Sequence, residues 1–339
     1  MCSVTHTARV DPDAHRIAAL GGGIVQIRLP MRGNPLRYVN AYAVEEPDGL
    51  TLVDCGWKTP DVLRALHEGL GAFGASLADV KRVVVTHFHY DHYGLAGTLR
   101  REGVEALGMH ARDWEAAEWM LGDPSAAGQA SDGWMTRNGF VFSEDDGDDS
   151  HRKRTELAQP TVLVEDGMLV GRLRALWTPG HSPGHLCFYD THSKRVLSGD
   201  HILDPITPHV GLWIEHQSDP LGDYLASLQK MRELDATQVL PAHGEPFGDL
   251  CGRIEALLAH QARRQEQVLR ALAHGPRTAA EVAAEVDWTR AERAFADLPE
   301  MQRLFAMAET LAHVQHARLA GRVVAHEAPL PITYALAGE

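Results

Sequence analysis

The run VVVTHFHYDH at residues 83–92 ends an apolar, β-branched stretch in four metal-competent side chains, His87, His89, Asp91 and His92. The same grammar recurs in ALWTPGH, VLSGD and VLPAH, where a strand-like run stops and His181, Asp200 or His243 follows. Loops leaving the carboxyl ends of strands are where sheet-based enzymes gather reactive groups. These residues form one candidate constellation of five imidazoles and two carboxylates. That mixture suits zinc, and also iron or manganese. Seven ligands are too many for a catalytic zinc, which takes about three from the protein. They suffice for two ions sharing a bridging carboxylate. Two such cations, roughly 3.5–4 Å apart, can hold a hydroxide between them and polarise the bond it attacks.

Strands and helices must carry these groups. GGGIVQIRLP, RYVNAYAVEE and LTLVDCG read as three strands, antiparallel neighbours, bounded by Gly, Asn, Pro and Asp. TPDVLRALHEGLGAFG follows with a Thr59-Pro60-Asp61 helix start. VVVTH is the next strand, then a helix near GLAGTLRREG and a strand at EALGMH. Residues 110–160 read as an insertion near the active site: HARDWEAAEWML is helical, and a Gly/Ser/Ala-rich stretch and the acidic run EDDGDD follow as loop. Trp114, Trp119, Trp134 and Met135 there could line a pocket or pack the insertion onto its scaffold. Strands resume at PTVLVED, RLRALWTPGH, HLCFYD and RVLSGD. A helix over DPLGDYLASLQKMREL places Leu221, Leu225, Leu228 and Met231 on one face, and TQVLPAH closes the strand series.

The chain has 339 residues, 44% hydrophobic and 23% charged, as in a folded domain with an appendage. A formal charge of −14 disfavours nucleic acid and anionic membranes as partners. No stretch approaches the ~20 apolar residues of a membrane span. The segment MCSVTHTARVDPDAHRIAAL lacks the basic start and apolar block of a signal peptide. Cys2, Cys55, Cys187 and Cys251 are scattered without a CxxC pair, which predicts reduced thiols and a cytoplasmic location.

THFHYDH, TPGHSPGH, SGD and LPAHGE, in this order, resemble the metallo-β-lactamase superfamily over about residues 20–250. VDCG before the first helix is similar to that family's usual VDTG strand end. The resemblance implies an α/β fold, a four-layer αβ/βα sandwich with the metals at one rim. It assigns His87, His89 and His181 to a first metal, Asp91, His92 and His243 to a second, and Asp200 to the bridge. Asp54 would orient a site loop rather than bind metal, and His185 and His201 fall outside the ligand positions. His110 reads as structural, and His313 and His316 as a solvated helix face.

Residues 1–250 are thus expected to form the catalytic domain, and 251–339 a winged-helix-like appendage. In the latter a long helix runs through IEALLAHQARRQEQVLRALAHG, PRTAAEVAAEV is capped by Thr278, a further helix follows, and GRVVAHE forms a small wing. From Cys251 onward there are ten Arg, no Lys and eleven Asp plus Glu, so DNA binding is disfavoured against a structural or dimerising cap.

The ligand set resembles that of hydroxyacylglutathione hydrolases and related thioesterases and lactonases. True β-lactamases usually place Cys where SGD places Asp200. The expected activity is hydrolysis of a small-molecule thioester, ester or lactone by a metal-bound hydroxide on two divalent ions, zinc first, with Asp91 also orienting the water. The alternative is a mononuclear-iron persulfide dioxygenase-like oxidoreductase, held by residues corresponding to His87, His181 and Asp200 or His89. A phosphodiesterase or nuclease ranks lower.

Overall fold

The valine run carries its alternation directly into packing. Val83 and Val85 enter one apolar cluster and Val84 the opposite one, because successive strand residues face opposite sides. A computed structural model of the protein describes residues 17–142, 155–214, 218–288 and 294–338. The run EDDGDD and the N-terminal segment through residue 16 lie outside the described residues.

Strands β1 (Ile17–Gly21), β2 (Ile24–Pro30), β3 (Tyr38–Glu46), β4 (Gly49–Val53), β5 (Val80–Val84), β6 (Ala106–Met109) and β7 (Val162–Leu163) form one sheet in chain order. It is antiparallel from β1 to β4 and parallel from β4 to β7. Strands β8 (Leu169–Val170), β9 (Leu173–Trp177), β10 (Leu186–Asp190), β11 (Arg195–Gly199) and β12 (Gln238–Pro241) form the second, in the order β12-β11-β10-β9-β8. The three strands read from GGGIVQIRLP, RYVNAYAVEE and LTLVDCG are antiparallel neighbours, as their turns imply. PTVLVED, read as a full strand, gives the sheet two residues.

Between the sheets lie Ile24, Val44, Val84, Leu186, Phe188 and Leu197, all buried. Helices α1 (Pro60–Ala72), α2 (Tyr90–Tyr93), α3 (Ala96–Arg101), α4 (Ala111–Gly122) and α5 (Pro124–Arg137) follow strands of the first sheet. Val62, Leu66 and Leu70 of α1 cover its outer face, packed with Val25, Ile27 and Val83. Helix α6 (Pro220–Met231) covers the second sheet, its Leu221, Leu228 and Met231 buried with Cys187, Tyr189 and Val196. The layers are therefore helix, sheet, sheet, helix.

One feature of the 110–160 stretch differs from expectation. The Gly/Ser/Ala-rich segment is helical, as α5, because Asp123 caps it by accepting from the Ala126 N–H at 3.0 Å and Pro124 opens its first turn. Its Trp134 and Met135 are buried core residues, Trp114 is partly buried against the first cluster, and Trp119 is exposed.

Residues beyond 250 form helices α7 (Leu250–Leu272), α8 (Ala279–Ala283) and α9 (Glu300–Leu319), then an antiparallel ribbon of β13 (Val323–His326) and β14 (Thr333–Leu336). Their apolar cluster is continuous with the outer face of the second sheet. His313 is fully buried on α9, its Nδ1 3.0 Å from the Gln265 Oε1, so it lies inside a helix interface and not on a solvated face. Thr278 caps α8 through a reciprocal pair: its Oγ1 accepts from the Glu281 N–H (3.2 Å), and Glu281 Oε2 accepts from the Thr278 N–H (2.8 Å). Thr278→Ala should lower stability by ~1 kcal/mol, read as a shifted urea midpoint with unchanged slope.

Candidate metal centre

The candidate residues come from four loops at the carboxyl ends of β5, β9, β11 and β12. Backbone bonds lock these ends together across the two sheets. The Leu186 N–H donates to the Thr86 carbonyl (2.7 Å), the Ala242 N–H to Gly199 (3.1 Å) and the Asn40 N–H to Ala242 (2.7 Å). Residues far apart in sequence are thereby held within a few ångströms.

All seven candidates converge, in two halves. His87 Nε2 lies 2.9 Å from His89 Nδ1 and 3.2 Å from His181 Nε2, and His181 Nε2 lies 3.0 Å from His89 Nδ1. In the other half, Asp91 Oδ2 is 3.3 Å from His243 Nε2 and 3.6 Å from His92 Nε2. Asp200 stands between the halves. Its Oδ1 is 3.5 Å from His243 Nε2 and 3.6 Å from His92 Nε2, and its Oδ2 is 3.6 Å from His181 Nε2.

The donor set fits divalent cations. Each triad, His87–His89–His181 and Asp91–His92–His243, brings one ligand atom per residue within 4.8 Å of the others. Buried polar atoms are normally paired, yet His92 Nε2, Asp200 Oδ1 and His243 Nε2 are buried with no hydrogen-bond partner. These orphans point at the same space. The other ring nitrogens are engaged, as metal-binding imidazoles usually are. His181 Nδ1–H donates to the His209 carbonyl (2.7 Å), His243 Nδ1–H to Tyr38 (2.9 Å) and His92 Nδ1–H to Asp54 Oδ2 (2.8 Å). Asp54, in a left-handed backbone conformation, also accepts from the Thr86 N–H at 2.7 Å. It orients the site, as expected, through His92.

The electrostatics split along the same line. Burial, then neighbouring imidazoles, pulls His87 well below the usual histidine range and His89 to about 3, so both are neutral donors. Burial opposes charge at His92 too, but Asp91, Asp54 and Asp200 outweigh it and raise its pKa. Burial alone would raise Asp91; His92 and His243 overcome this and hold it at about 2.

Other residues are placed more sharply than spacing allowed. His185 lies directly under the site: its Nε2 accepts from the Asp200 N–H (3.2 Å), which leaves Nδ1–H to donate to Thr178 Oγ1 (2.9 Å). His201 is buried against Tyr224. His110 Nδ1 accepts from the Arg112 N–H at the start of α4, a structural role. Cys55 and Cys187 are buried with thiols pushed up, Cys187 to about 12, so neither is a ready nucleophile. Sequence reasoning missed Asp113, buried below the site, whose carboxyl burial pushes up to about 7. It also missed His209, whose Nε2–H donates to the Phe305 carbonyl on α9 at 3.0 Å. Neither belongs to a strand-end motif.

Fold and site together define a metal-dependent hydrolase. The family model of the metallo-β-lactamase superfamily matches residues 34–243. The chain belongs to that superfamily. It is 31% identical over 293 residues to the probable metallo-hydrolase YqjP of Bacillus subtilis, covering 79% of this chain and 84% of that one. It is 28% identical to the human acyl-coenzyme A thioesterase MBLAC2, over 69% of this chain and 82% of that one. The crystal structure of the metallo-β-lactamase family protein TTHA1429 from Thermus thermophilus superposes with a TM-score of 0.81 at 32% identity, covering 94% of this chain and all of that one. No helix among the described residues is long and apolar enough to cross a membrane.

Proposed function

We propose that this chain holds two divalent metal ions, zinc before iron or manganese, and hydrolyses a small-molecule acyl bond, a thioester before an ester or lactone. His87, His89 and His181 would hold one ion, Asp91, His92 and His243 the other, and Asp200 both. The observation that carries this reading is the Asp200 carboxylate, one oxygen turned to each half of the site. When bound, such ions supply an ionised water at neutral pH and an electrophile for the acyl oxygen.

The chain's own groups do the rest. Asp91, ionised and still partly accessible, offers an acceptor that orients the attacking water. Its low basicity makes it a guide for that water more than a sink for its proton. Asp54, Tyr38 and His209 keep three imidazoles turned inward, so the donors are in place before substrate arrives. The rings of His209, Trp213 and Phe305 cluster beside His181, which is bonded to the His209 carbonyl, and Phe305 is exposed, as is Met301 on the same helix. An apolar acyl group can cover that surface, which would give α9 a role in substrate binding. The thioesterase activity named for the human relative supports the choice of thioester.

The test is elemental analysis of the purified protein beside a panel of thioester, lactone and phosphodiester substrates, with and without chelator. Two equivalents of metal and chelator-sensitive thioester turnover are expected. One equivalent of iron with oxygen uptake, or turnover confined to the phosphodiester, would replace the reading.

A further inference from the structure

The three imidazoles of the first triad stand on two irregular loops, and no sheet ladder joins those loops at that level. Beyond the bond from the Leu186 N–H to the Thr86 carbonyl, one carboxylate joins them. Asp113, in the first turn of α4, is fully buried. Its Oδ2 accepts from the Phe88 N–H at 3.0 Å and from the Ser182 hydroxyl at 2.8 Å, and its Oδ1 accepts from the Gly184 N–H. Phe88 lies between His87 and His89, and Ser182 follows His181. We propose that Asp113 is a positioning residue that clamps the His87–His89 loop to the His181 loop and so sets the first metal site; this rests on the two-metal reading of the centre.

Three observations support a clamp over incidental core polarity. A buried carboxylate is costly, and this one is met by two backbone N–H groups and a hydroxyl, with no Lys or Arg among those three donors. Two of the donors belong to the backbone of the ligand loops themselves, which would otherwise need another acceptor in the interior. The approach is also built in: a Cβ at Gly184 would come within 2.5 Å of the Asp113 backbone nitrogen, so only glycine admits this contact. The second triad has separate supports. Asp54 holds His92 and the Tyr38 carbonyl holds His243, and neither depends on Asp113.

The clamp therefore predicts a selective effect. Asp113→Asn turns an amide NH₂ toward donors that need an acceptor, and should weaken one metal equivalent by about 10–100-fold, as supporting groups of metal ligands do. Ser182→Ala removes one bond and leaves the buried carboxylate, so a few-fold loss is expected; Ser182→Thr keeps the hydroxyl and should restore affinity. The measurement is retained metal per folded molecule after dialysis against graded chelator, with urea unfolding of the metal-free proteins alongside. Loss of one equivalent in Asp113→Asn at a chelator strength where wild type keeps two, with Ser182→Ala between them, supports the clamp. Equal retention by all variants, or equal loss of both equivalents, overturns it. A lowered urea midpoint with unchanged metal affinity also overturns it, in favour of a structural role. If Asp113→Asn does not fold, the two Ser182 variants decide alone. Wild type that itself binds fewer than two equivalents would refute the two-metal reading rather than the clamp.

Discussion

Asp200→Ala should lower kcat/KM by at least about a thousandfold, ~4 kcal/mol of transition-state stabilisation. Both halves of the proposed centre would lose a ligand at once, because the two oxygens of this carboxylate face different triads. No other candidate has that position, so loss of Asp200 should be more damaging than loss of His89 or Asp91 alone. Stability should fall as well. Without cations, burial opposes the Asp200 charge, but His243, His92 and His181 outweigh it and hold the carboxyl well below its usual range, so removing it leaves those imidazoles without that partner. The metal-free variant should unfold in urea at a lower midpoint than wild type, by about 1–3 kcal/mol. Elemental analysis should find less than two equivalents of metal. Full activity in this variant would mean that the assigned centre is wrong.

Gly199→Ala should damage the candidate centre and the fold together. Gly199 ends β11 with φ +51°, where a side chain is strained, and an added Cβ would lie 2.7 Å from His185 Nε2 and 2.8 Å from Thr86 Cβ. Neither neighbour can swing away. His185 supports the Asp200 N–H, while Thr86 Oγ1 lies 3.0 Å from His87 Nδ1 and contacts both oxygens of Asp54. Overpacking plus backbone strain should cost about 2–4 kcal/mol. The urea midpoint reads that cost, and metal content reads the displacement of ligands from both halves. A variant as stable as wild type that keeps two equivalents would show that Asp200 and Thr86 are less tightly positioned than the contacts require.

Much of this architecture is legible in the residues alone. The valine run at 83–85, the alternation in HLCFYD and the Thr59-Pro60-Asp61 start are local signals, set by strand pleat and helix capping within a few residues. The seven candidate ligands stand out because imidazoles and carboxylates crowded behind apolar runs have few structural uses. Short-range signals also have limits. The segment after Gly122 resembles loop by composition, yet burial of Trp134 and Met135 and the Asp123 cap make it α5. The spacing of His313 suggests a solvated face, yet the helices of residues 251–338 enclose it.

By itself, the sequence determined which side chains are able to hold metal and which strands carry them, since both depend on residue type and near-neighbour spacing. Tertiary structure alone decided that Asp200 turns one oxygen to each triad, that His209 ties His181 to α9, and that Asp113 joins two ligand loops from beneath. Such contacts link residues as far apart along the chain as His181 and Phe305. No local pattern encodes them, because they arise where two sheets close on each other and bring their strand ends to one rim.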